Sequence, residues 1–448
     1  MLAFALAVVL FAYSAVGLGL RGKLPPGLPT DIIVFAALMV GAHLAVRRLA
    51  PYADPLLLPL AALLNGLGLV MIYRLNQSGR NGNPGNLVTD MPASATSTQL
   101  LYTGLGVVAL IVVLVLIREA RVLQRYTYTL GALGLLLLAV PAVLPSSHSV
   151  VNGAKVWIII GGFSVEPGEF ARLALAVFFA GYLVAKRDAL ALAGSRILGI
   201  DLPRGRDLGP VLLAWFASLL ILIFETDIGA SALFFGMFIA MLYIATQRTS
   251  WLLIGVLLFL AGSSLTALLF SHVQERFTIW LHPFQGNNPT HASFQLVQGL
   301  EGMAFGGLFG TGLGHGQPYH TPLVQSDFIF TAFGEELGLV GVMALLLIFG
   351  LLVQRGLRAA LAVSDPFSKL LAGGLSFVLA LQVFVIVGGV TGLIPLTGIT
   401  TPFLSEGGSS LVASWILIGL LIRVSNTARK PAPQPIQDEG MTQVVRAV

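Results

Sequence analysis

Cysteine is missing from the 448-residue chain, and Asp, Glu, Lys and Arg together make up only 10% of it. Without cysteine the chain can form no disulfide bond, thiolate zinc site, iron–sulfur cluster or cysteine nucleophile. Charged residues reach about 25% in soluble domains, so a water-soluble globular enzyme is not expected. Apolar residues make up 56% and lie in long runs, which also excludes collagen-like and disordered chains.

Twelve apolar stretches reach or approach the roughly 20 residues that a helix needs to cross a bilayer. They lie near residues 2–20, 32–46, 55–73, 98–117, 127–145, 169–185, 209–225, 229–246, 251–271, 328–352, 370–392 and 409–422. The first stretch has no basic segment before it and no clear cleavage site before Arg21, which favours a retained span over a signal peptide. We therefore predict an all-α polytopic membrane protein with about twelve transmembrane helices, followed by a polar, mobile tail over residues 426–448.

The positions of Lys and Arg predict the orientation of these spans. With the N-terminus inside, basic residues are about three times as frequent in the inside segments as in the outside segments, the bias expected of cytoplasmic loops. Both termini are then cytoplasmic, and the net charge of +5 reflects these loops rather than nucleic-acid binding. The loops 74–97 and 272–327 lie outside, and the second, which is long and aromatic, is typical of a functional segment.

Ionisable side chains in or beside the spans collect at their outer ends, and such groups are functional candidates because burying a charge is costly unless it is paired. Glu169 and Arg172 are three residues apart and can pair on one helix face. The other acidic residues of this kind are Glu166, Glu225, Asp227, Asp327, Glu335, Glu336 and Glu406. Each is also open to interpretation as a helix cap, an interfacial ion pair or part of an internal network.

Asp327 differs from the others, because it has no basic neighbour in sequence and ends the long outer loop. Acidic groups that collect on one side of the membrane indicate a shared cavity that opens to that side. Arg172 and Lys155 are then the natural cationic partners, either for carboxylates or for a phosphorylated ligand.

Three further patterns in the outer segments have structural explanations. The five loop histidines lack the spacing of a helical metal site with a catalytic Glu; they are His272, His282, His291, His315 and His320. The glycines of segment 306–316 follow no strand and precede no Lys-Ser/Thr pair, so tight turns or a close backbone approach are favoured over a nucleotide loop. Ser409 and Ser410 either cap the last span or help to hold an anion.

A series of motifs in order resembles the SEDS family (shape, elongation, division and sporulation), which includes RodA and FtsW, over residues 55–425. The motifs are Asn152-Gly-Ala-Lys-Val-Trp-Ile, Glu166-Pro-Gly-Glu-Phe-Ala-Arg, Glu225-Thr-Asp-Ile-Gly, Arg276-x-x-x-Trp-x-x-Pro, Gln295-Leu-Val-Gln, Gly306-Gly-Leu-Phe-Gly-Thr-Gly-Leu-Gly, Ser326-Asp-Phe-Ile-Phe and Pro402-Phe-Leu-Ser-Glu-Gly-Gly-Ser-Ser. Val156, Arg172 and Glu406 replace the Arg, Lys and Tyr of the family's motifs, and no acidic residue closely precedes Asp327.

The resemblance implies a ten-helix core over residues 51–425, preceded by two additional N-terminal helices in residues 1–50. It also implies a peptidoglycan glycosyltransferase of the bacterial cytoplasmic membrane. Such an enzyme polymerises the lipid-linked disaccharide-pentapeptide (lipid II) at the outer membrane face and releases undecaprenyl pyrophosphate. The implied partners are lipid II, membrane lipids and a class B penicillin-binding protein, the transpeptidase that cross-links the glycan.

On this interpretation, Asp327 is the general base that takes the proton of the acceptor's 4-hydroxyl as that oxygen attacks the donor's anomeric carbon. The linkage is inverted, so one carboxylate is enough. The substrate-binding residues that the resemblance implies are Asn152, Lys155, Trp157, Glu169, Arg172, Arg276, Gln295, Gln298, Ser405 and Ser409. Asp227, Glu335 and Glu336 are expected to form an internal charge network. Cations stabilise the leaving pyrophosphate, either as Arg and Lys side chains or as an Mg²⁺ or Mn²⁺ ion held by carboxylates.

Two other functions fit the same residues. A lipid II flippase would use the polar cavity to pass a headgroup across the membrane, although the sequence shows no inverted repeat of the kind common in transporters. A non-catalytic scaffold would position other cell-wall enzymes and make no polymer. The sequence also leaves open whether the protein serves elongation, division or sporulation.

Overall fold

The computed structural model describes residues 1–25, 27–78, 94–150, 155–161, 163–191, 193–197, 200–203, 209, 212–213, 216–217, 220–221, 228–285 and 293–431. The long helices in these residues are α1 (Leu2–Arg21), α2 (Leu28–Leu49), α3 (Leu57–Ser78), α4 (Ala95–Leu116), α5 (Thr127–Val143), α7 (Pro167–Ala191), α8 (Ile228–Thr246), α9 (Thr249–Leu269), α12 (Ile329–Ala362), α13 (Pro366–Val390) and α14 (Gly408–Arg429). Three shorter helices are α6 (Ser146–Ser149), α10 (Ser271–Leu281) and α11 (Phe294–Gly306). The β structure in the described residues consists of two hairpins, β1 (Ile158–Ile160) with β2 (Phe163–Val165) and β3 (Ala193–Ile197) with β4 (Ile200–Pro203).

Eleven helices of the described residues are long and apolar enough to cross a membrane, which confirms the all-α, multi-pass architecture. They match eleven of the twelve predicted stretches. The remaining stretch, 209–225, lies largely outside the described residues, so the number of twelve spans stays a prediction.

Helix α14 extends beyond its predicted apolar stretch, because the charges near its end find partners. Helix α14 continues past Arg423, whose guanidinium is buried and donates hydrogen bonds to the carbonyls of Leu49 and Leu114. Six residues later, Arg429 pairs with the buried carboxylate of Asp54 at 2.5 Å. Carbonyl and carboxylate partners compensate the desolvation of these cations, so the helix does not need to end at the first charge.

The centre of the protein is formed by α3, α13 and α14, in which 78%, 72% and 83% of the most apolar 18-residue window is buried. Helix α14 contacts α3, α4, α7, α12 and α13. At the periphery, α2 and α9 bury only 17% of the same window, and their exposed faces are apolar. This pattern is expected for a bundle whose outer helices face lipid rather than water.

Helix α12 is kinked at Gly338, and the glycine-rich segment 306–316 fills the gap that the kink leaves. Gly338 has a φ of +67°, which breaks two helical hydrogen bonds. The amides of Leu339 and Val340 instead donate to the carbonyls of Gly307 and Leu308 at 2.9 and 3.1 Å, while the freed carbonyls of α12 accept from Thr311 and Gly312 at 3.0 Å. Irregular backbone at membrane depth must be satisfied by the protein itself, and this exchange of bonds satisfies it.

The carboxylates of the same turn hold the rest of that segment. Glu336 pairs with Arg74 of α3 at 2.6 Å and accepts the backbone N–H of Gly314 at 3.0 Å. Arg74 also donates to the carbonyl of Gly316 at 2.7 Å, and Glu335 accepts the N–H of Gln317. The sequence placed residue 74 at the start of an outer loop, whereas α3 continues to Ser78 and the Arg74 side chain is 2% exposed.

The two N-terminal helices contact α3 and the glycine-rich segment. Tyr13 of α1 donates to Asp31 of α2 at 2.6 Å and stacks edge-on against Tyr73 of α3, with ring centroids 4.5 Å apart. At the end of α1, Arg21 donates to Gln77 of α3 at 2.5 Å. A β-carbon on Gly19 would lie 2.3 Å from the carbonyl oxygen of Leu313, so only glycine permits this close contact.

Candidate active site

Asp327 lies on the segment that leads into α12. The hydroxyl of Ser326 donates to its carboxylate at 2.9 Å and to the carbonyl of Leu323 at 3.0 Å. Leu323 has a φ of +51°, a conformation that is uncommon for a non-glycine residue and often marks a functional turn. Burial raises the pKa of the Asp327 carboxyl above its ordinary value, although the Ser326 hydroxyl, a backbone N–H and the Arg276 guanidinium each lower it in part.

The loop between α13 and α14, residues 391–407, fixes the Asp327 segment from the other side. The Ser405 hydroxyl donates to the carbonyl of Ser326 and accepts the N–H of Thr401 at 2.8 Å. The next residue, Glu406, donates its N–H to the carbonyl of Gln325 at 2.8 Å. Because Ser405 and Glu406 bond to the two residues that precede Asp327, the loop and the Asp327 segment form one connected unit.

Helix α10 borders the same loop. Arg276 and Trp280 are four residues apart and therefore share one helix face. Arg276 donates to the carbonyl of Leu396 at 2.9 Å, and the indole N–H of Trp280 donates to the carbonyl of Gly392 at 2.9 Å. The positive charge of Arg276 lowers the pKa of Asp327 in part, so a permanent cation acts on the candidate base.

A cavity with about 500 Å³ of empty space, part of it open to solvent, lies among α5, α7, α8 and the 391–407 loop. Glu169 and Arg172 form an ion pair on its wall, and the side chains are 3% and 14% exposed. Ile399 lines this cavity, whereas the Leu396 carbonyl of the same loop binds Arg276. The described residues that line the cavity do not include Asp327, and the 391–407 loop contacts both the cavity and the Asp327 segment.

Three other candidates hold neighbouring elements together. Lys155 donates to the carbonyl of Ala142 at 2.7 Å, near the C-terminus of α5, where a helix favours a cation. Trp157 donates its backbone N–H to the carbonyl of Ser149 at 3.2 Å, just before β1. The hydroxyl of Ser409 accepts the backbone N–H of Glu166 at 2.9 Å and thereby links the start of α14 to the start of α7.

The two glutamines of α11 have different surroundings. Gln295 donates to the carbonyl of Pro322 at 2.9 Å and so anchors the segment that carries Asp327. Gln298 donates to Glu301 at 3.0 Å near the surface of the same helix. Asn152 and Asp227 lie outside the described residues.

The structure therefore separates the predicted site residues into three groups. Arg276, Gln295 and Ser405 hold or face the Asp327 segment, Glu169 and Arg172 line the cavity, and Glu335 and Glu336 bind the glycine-rich segment with Arg74. Our sequence analysis missed Arg74 as the partner of Glu336. A signal was present, since Arg74 directly follows an apolar run and an ionisable residue in a span calls for a partner.

No group of three or more His, Asp or Glu side chains in the described residues is arranged to hold a metal ion. Mg²⁺ binds mainly through one or two carboxylates and substrate phosphates.

A family model described as "Cell cycle protein" and named for FtsW, RodA and SpoVE matches residues 55–430, which is most of the chain. This chain belongs to the FtsW/RodA/SpoVE family. The resemblance found in the motifs is thereby confirmed, over nearly the same residues. The match begins after α1 and α2, the two helices that precede the common core.

Relatives within the family are similar over most of their length. RodA of Mycobacterium tuberculosis, a peptidoglycan glycosyltransferase, is 49% identical over 413 residues, which cover 90% of this chain and 86% of the relative. The stage V sporulation protein E of Bacillus subtilis is 33% identical over 378 residues, which cover 84% of this chain and 98% of the relative.

Two solved structures show the same fold. A mutant of Thermus thermophilus RodA has a TM-score of 0.59 and 24% identity, with 85% of this chain and 99% of the other covered. A chain of a peptidoglycan synthase complex that coordinates polymerization and crosslinking has a TM-score of 0.56 and 24% identity, with 90% and 98% covered. Their helical membrane architecture agrees with the fold described above.

Proposed function

We propose that this protein polymerises lipid II into glycan strands at the outer face of the bacterial cytoplasmic membrane. The class of activity follows from the family: the chain is a peptidoglycan glycosyltransferase, 49% identical over 413 residues to mycobacterial RodA enzymes. Its membrane helices give the lipid tail of such a substrate an apolar surface.

Asp327 acts as the general base of this reaction. The observation that carries the assignment is the partly buried carboxyl of Asp327, which accepts from Ser326, feels the charge of Arg276 and stands on a segment that Ser405 and Gln295 anchor. A general base is most effective when its pKa lies near the operating pH. Burial raises the pKa of Asp327 and so moves it in that direction. The Asp327 carboxylate takes the proton of the acceptor hydroxyl, whose oxygen bonds to the donor's anomeric carbon as the bond from that carbon to the pyrophosphate oxygen breaks.

Cationic side chains stabilise the leaving pyrophosphate. Arg276 stands beside Asp327, and Arg172 lines the neighbouring cavity with Glu169 as the carboxylate that orients it. Lys155 is a third candidate, although its ammonium group is engaged by a carbonyl of α5. An Mg²⁺ or Mn²⁺ ion held by carboxylates and the substrate phosphates would supply further positive charge.

The cellular setting of the proposal is a membrane enzyme with cytoplasmic termini and an outward-facing site. The distribution of Lys and Arg supports this orientation. A class B penicillin-binding protein is the proposed partner, because a structural neighbour comes from a synthase complex that couples polymerization to crosslinking.

The decisive experiment compares wild-type protein, Asp327→Asn and a control, Glu275→Gln, an exposed carboxylate on α10. Each is purified, reconstituted in vesicles and supplied with lipid II, and the products are separated by glycan length. General-base catalysis contributes about 10²- to 10⁴-fold, so Asp327→Asn is expected to lose at least about 100-fold in rate while the control stays active.

The alternatives predict different products. A flippase would move lipid II between leaflets without polymer, and a scaffold would do neither. A near wild-type rate in purified Asp327→Asn would refute the assignment of the base.

A further inference from the structure

Glu406 is an acidic residue of the loop that fixes the Asp327 segment, and the proposed mechanism does not use it. Its backbone N–H bonds to the carbonyl of Gln325 at 2.8 Å, and its neighbour Ser405 bonds to the carbonyl of Ser326. Glu406 therefore belongs to the part of the loop that holds the residues just before the base. Its carboxyl is partly buried and has no ion pair or hydrogen bond with the described residues, and burial alone raises its pKa.

Other buried polar atoms near Glu406 also have no partner among the described residues. The next residue, Gly407, lies close to Thr400 and Ser410. A β-carbon added to Gly407 would be 3.9 Å from the Thr400 methyl group and 3.8 Å from the Ser410 β-carbon. The hydroxyl oxygens of Thr400 and Ser410 and the amide oxygen of Gln325 are all buried without a hydrogen bond.

Such a concentration of unpaired polar atoms is unusual. Most buried polar side-chain atoms in proteins have a hydrogen-bond partner, and each one left without costs about 1–3 kcal/mol. A carboxylate and an amide oxygen accept hydrogen bonds, and hydroxyls both donate and accept. The arrangement therefore suits a ligand that carries several hydrogen-bond donors.

The charges around Asp327 and Glu406 indicate whether the group that binds at Glu406 is a sugar or a phosphate of the substrate. Arg276 lies on the side of the α13–α14 loop where the Leu396 carbonyl is, and it is the cation that acts on Asp327. No cation in the described residues acts on Glu406, so a phosphate beside it would meet an uncompensated like charge. A sugar, which is neutral and rich in hydroxyl and amide donors, meets no such repulsion.

We propose that Glu406 is a substrate-binding residue that accepts hydrogen bonds from the hydroxyl or amide groups of a sugar, while the pyrophosphate lies on the Arg276 side of Asp327. This inference rests on the proposed function, because it concerns the sugar of the glycan substrate. It assigns Glu406 to sugar binding and leaves the proton transfer to Asp327.

The test measures initial rates of polymerisation against lipid II concentration for wild type, Glu406→Gln and the control Glu275→Gln. The amide of Gln keeps the shape of the side chain and loses its charge. Because a hydrogen bond to a charged group contributes more than a neutral one, KM is expected to rise about tenfold while kcat changes less than about twofold. The control should leave both constants unchanged.

A second variant separates binding from folding. Glu406→Asp keeps the charge one methylene away, so its KM should lie between those of wild type and Glu406→Gln if both are folded. Size-exclusion chromatography and thermal unfolding show whether Glu406→Gln is folded. If it is not folded, Glu406→Asp is compared with wild type instead, and the expected result is a rise in KM at constant kcat.

Two results, each with an active wild type, would overturn the inference alone. One is a folded Glu406→Gln variant with unchanged KM and kcat, and the other is a Glu406→Gln variant in which only kcat falls. A wild-type protein that makes no glycan at all would overturn the proposed function, and this inference with it. If Asp327→Asn is inactive and Glu406→Gln behaves like wild type, the proposed function stands and the role of Glu406 in sugar binding is refuted.

Discussion

Removing the cation of the buried Arg74–Glu336 pair should destabilise the protein and loosen the glycine-rich segment. The Arg74 and Glu336 side chains are 2% and 0% exposed, and Nε and Oε1 are 2.6 Å apart. At that distance, Coulomb's law with an effective dielectric constant of about 20 gives roughly 6 kcal/mol of attraction, before the cost of desolvating both ions is subtracted. Arg74→Met keeps the apolar stem but leaves the carboxylate without its cation.

The expected loss in the free energy of unfolding is about 3–5 kcal/mol, the range for breaking a buried pair at one partner. The lost hydrogen bond to the Gly316 carbonyl adds about 1 kcal/mol. In the double variant Arg74→Met with Glu336→Gln, the amide oxygen still accepts the N–H of Gly314, and neither charge of the pair remains. The double variant should therefore be more stable than Arg74→Met alone.

The assay is denaturant unfolding in detergent micelles, with polymerisation activity measured in parallel. Arg48→Met serves as control, since Arg48 is exposed on α2 and should cost less than about 0.5 kcal/mol. The double-mutant cycle should give a coupling of at least about 1 kcal/mol between the two residues. If Arg74→Met were no less stable than the control, or if the two effects were simply additive, the pair would not hold this segment.

Three further predictions concern the base and the backbone around it. Burial raises the pKa of Asp327, and a general base must be ionised, so activity should fall as the pH decreases through that raised pKa. A pH profile of kcat/KM whose acidic decline has its midpoint at or below 3.8, the ordinary pKa of an Asp carboxyl, would contradict this. Ser405→Ala removes both bonds of the hydroxyl that joins the loop to the Asp327 segment. At roughly 1 kcal/mol for each bond lost, kcat should fall about 30-fold, with the fold intact by circular dichroism. Gly338→Ala places a β-carbon 2.3 Å from the Gly310 amide at a φ of +67°, and it should strongly lower the melting temperature. Gly350→Ala in the same helix, where nothing lies within 4 Å, should leave that temperature nearly unchanged.

Much of the architecture could be predicted from local sequence. A membrane span is defined by the hydropathy of some 20 consecutive residues, and eleven of the predicted stretches coincide with long helices in the described residues. The family could also be identified from local motifs, since residue types at fixed spacing do not depend on knowing which helices touch. The Glu169–Arg172 pair belongs to the same class, because residues three apart meet on one helix.

The contacts around the candidate base depended on the tertiary structure. Ser405 and Ser326 are 79 residues apart, Arg276 and Leu396 are 120 apart, and Arg74 and Glu336 are 262 apart. No local pattern encodes such pairings, which arise only when the helices pack and bring their loops together. The bond exchange at Gly338, the partly buried state of Asp327 and the unpaired acid at Glu406 follow from that packing, because burial and hydrogen bonding are properties of the whole surroundings of a group and not of its neighbours in the chain.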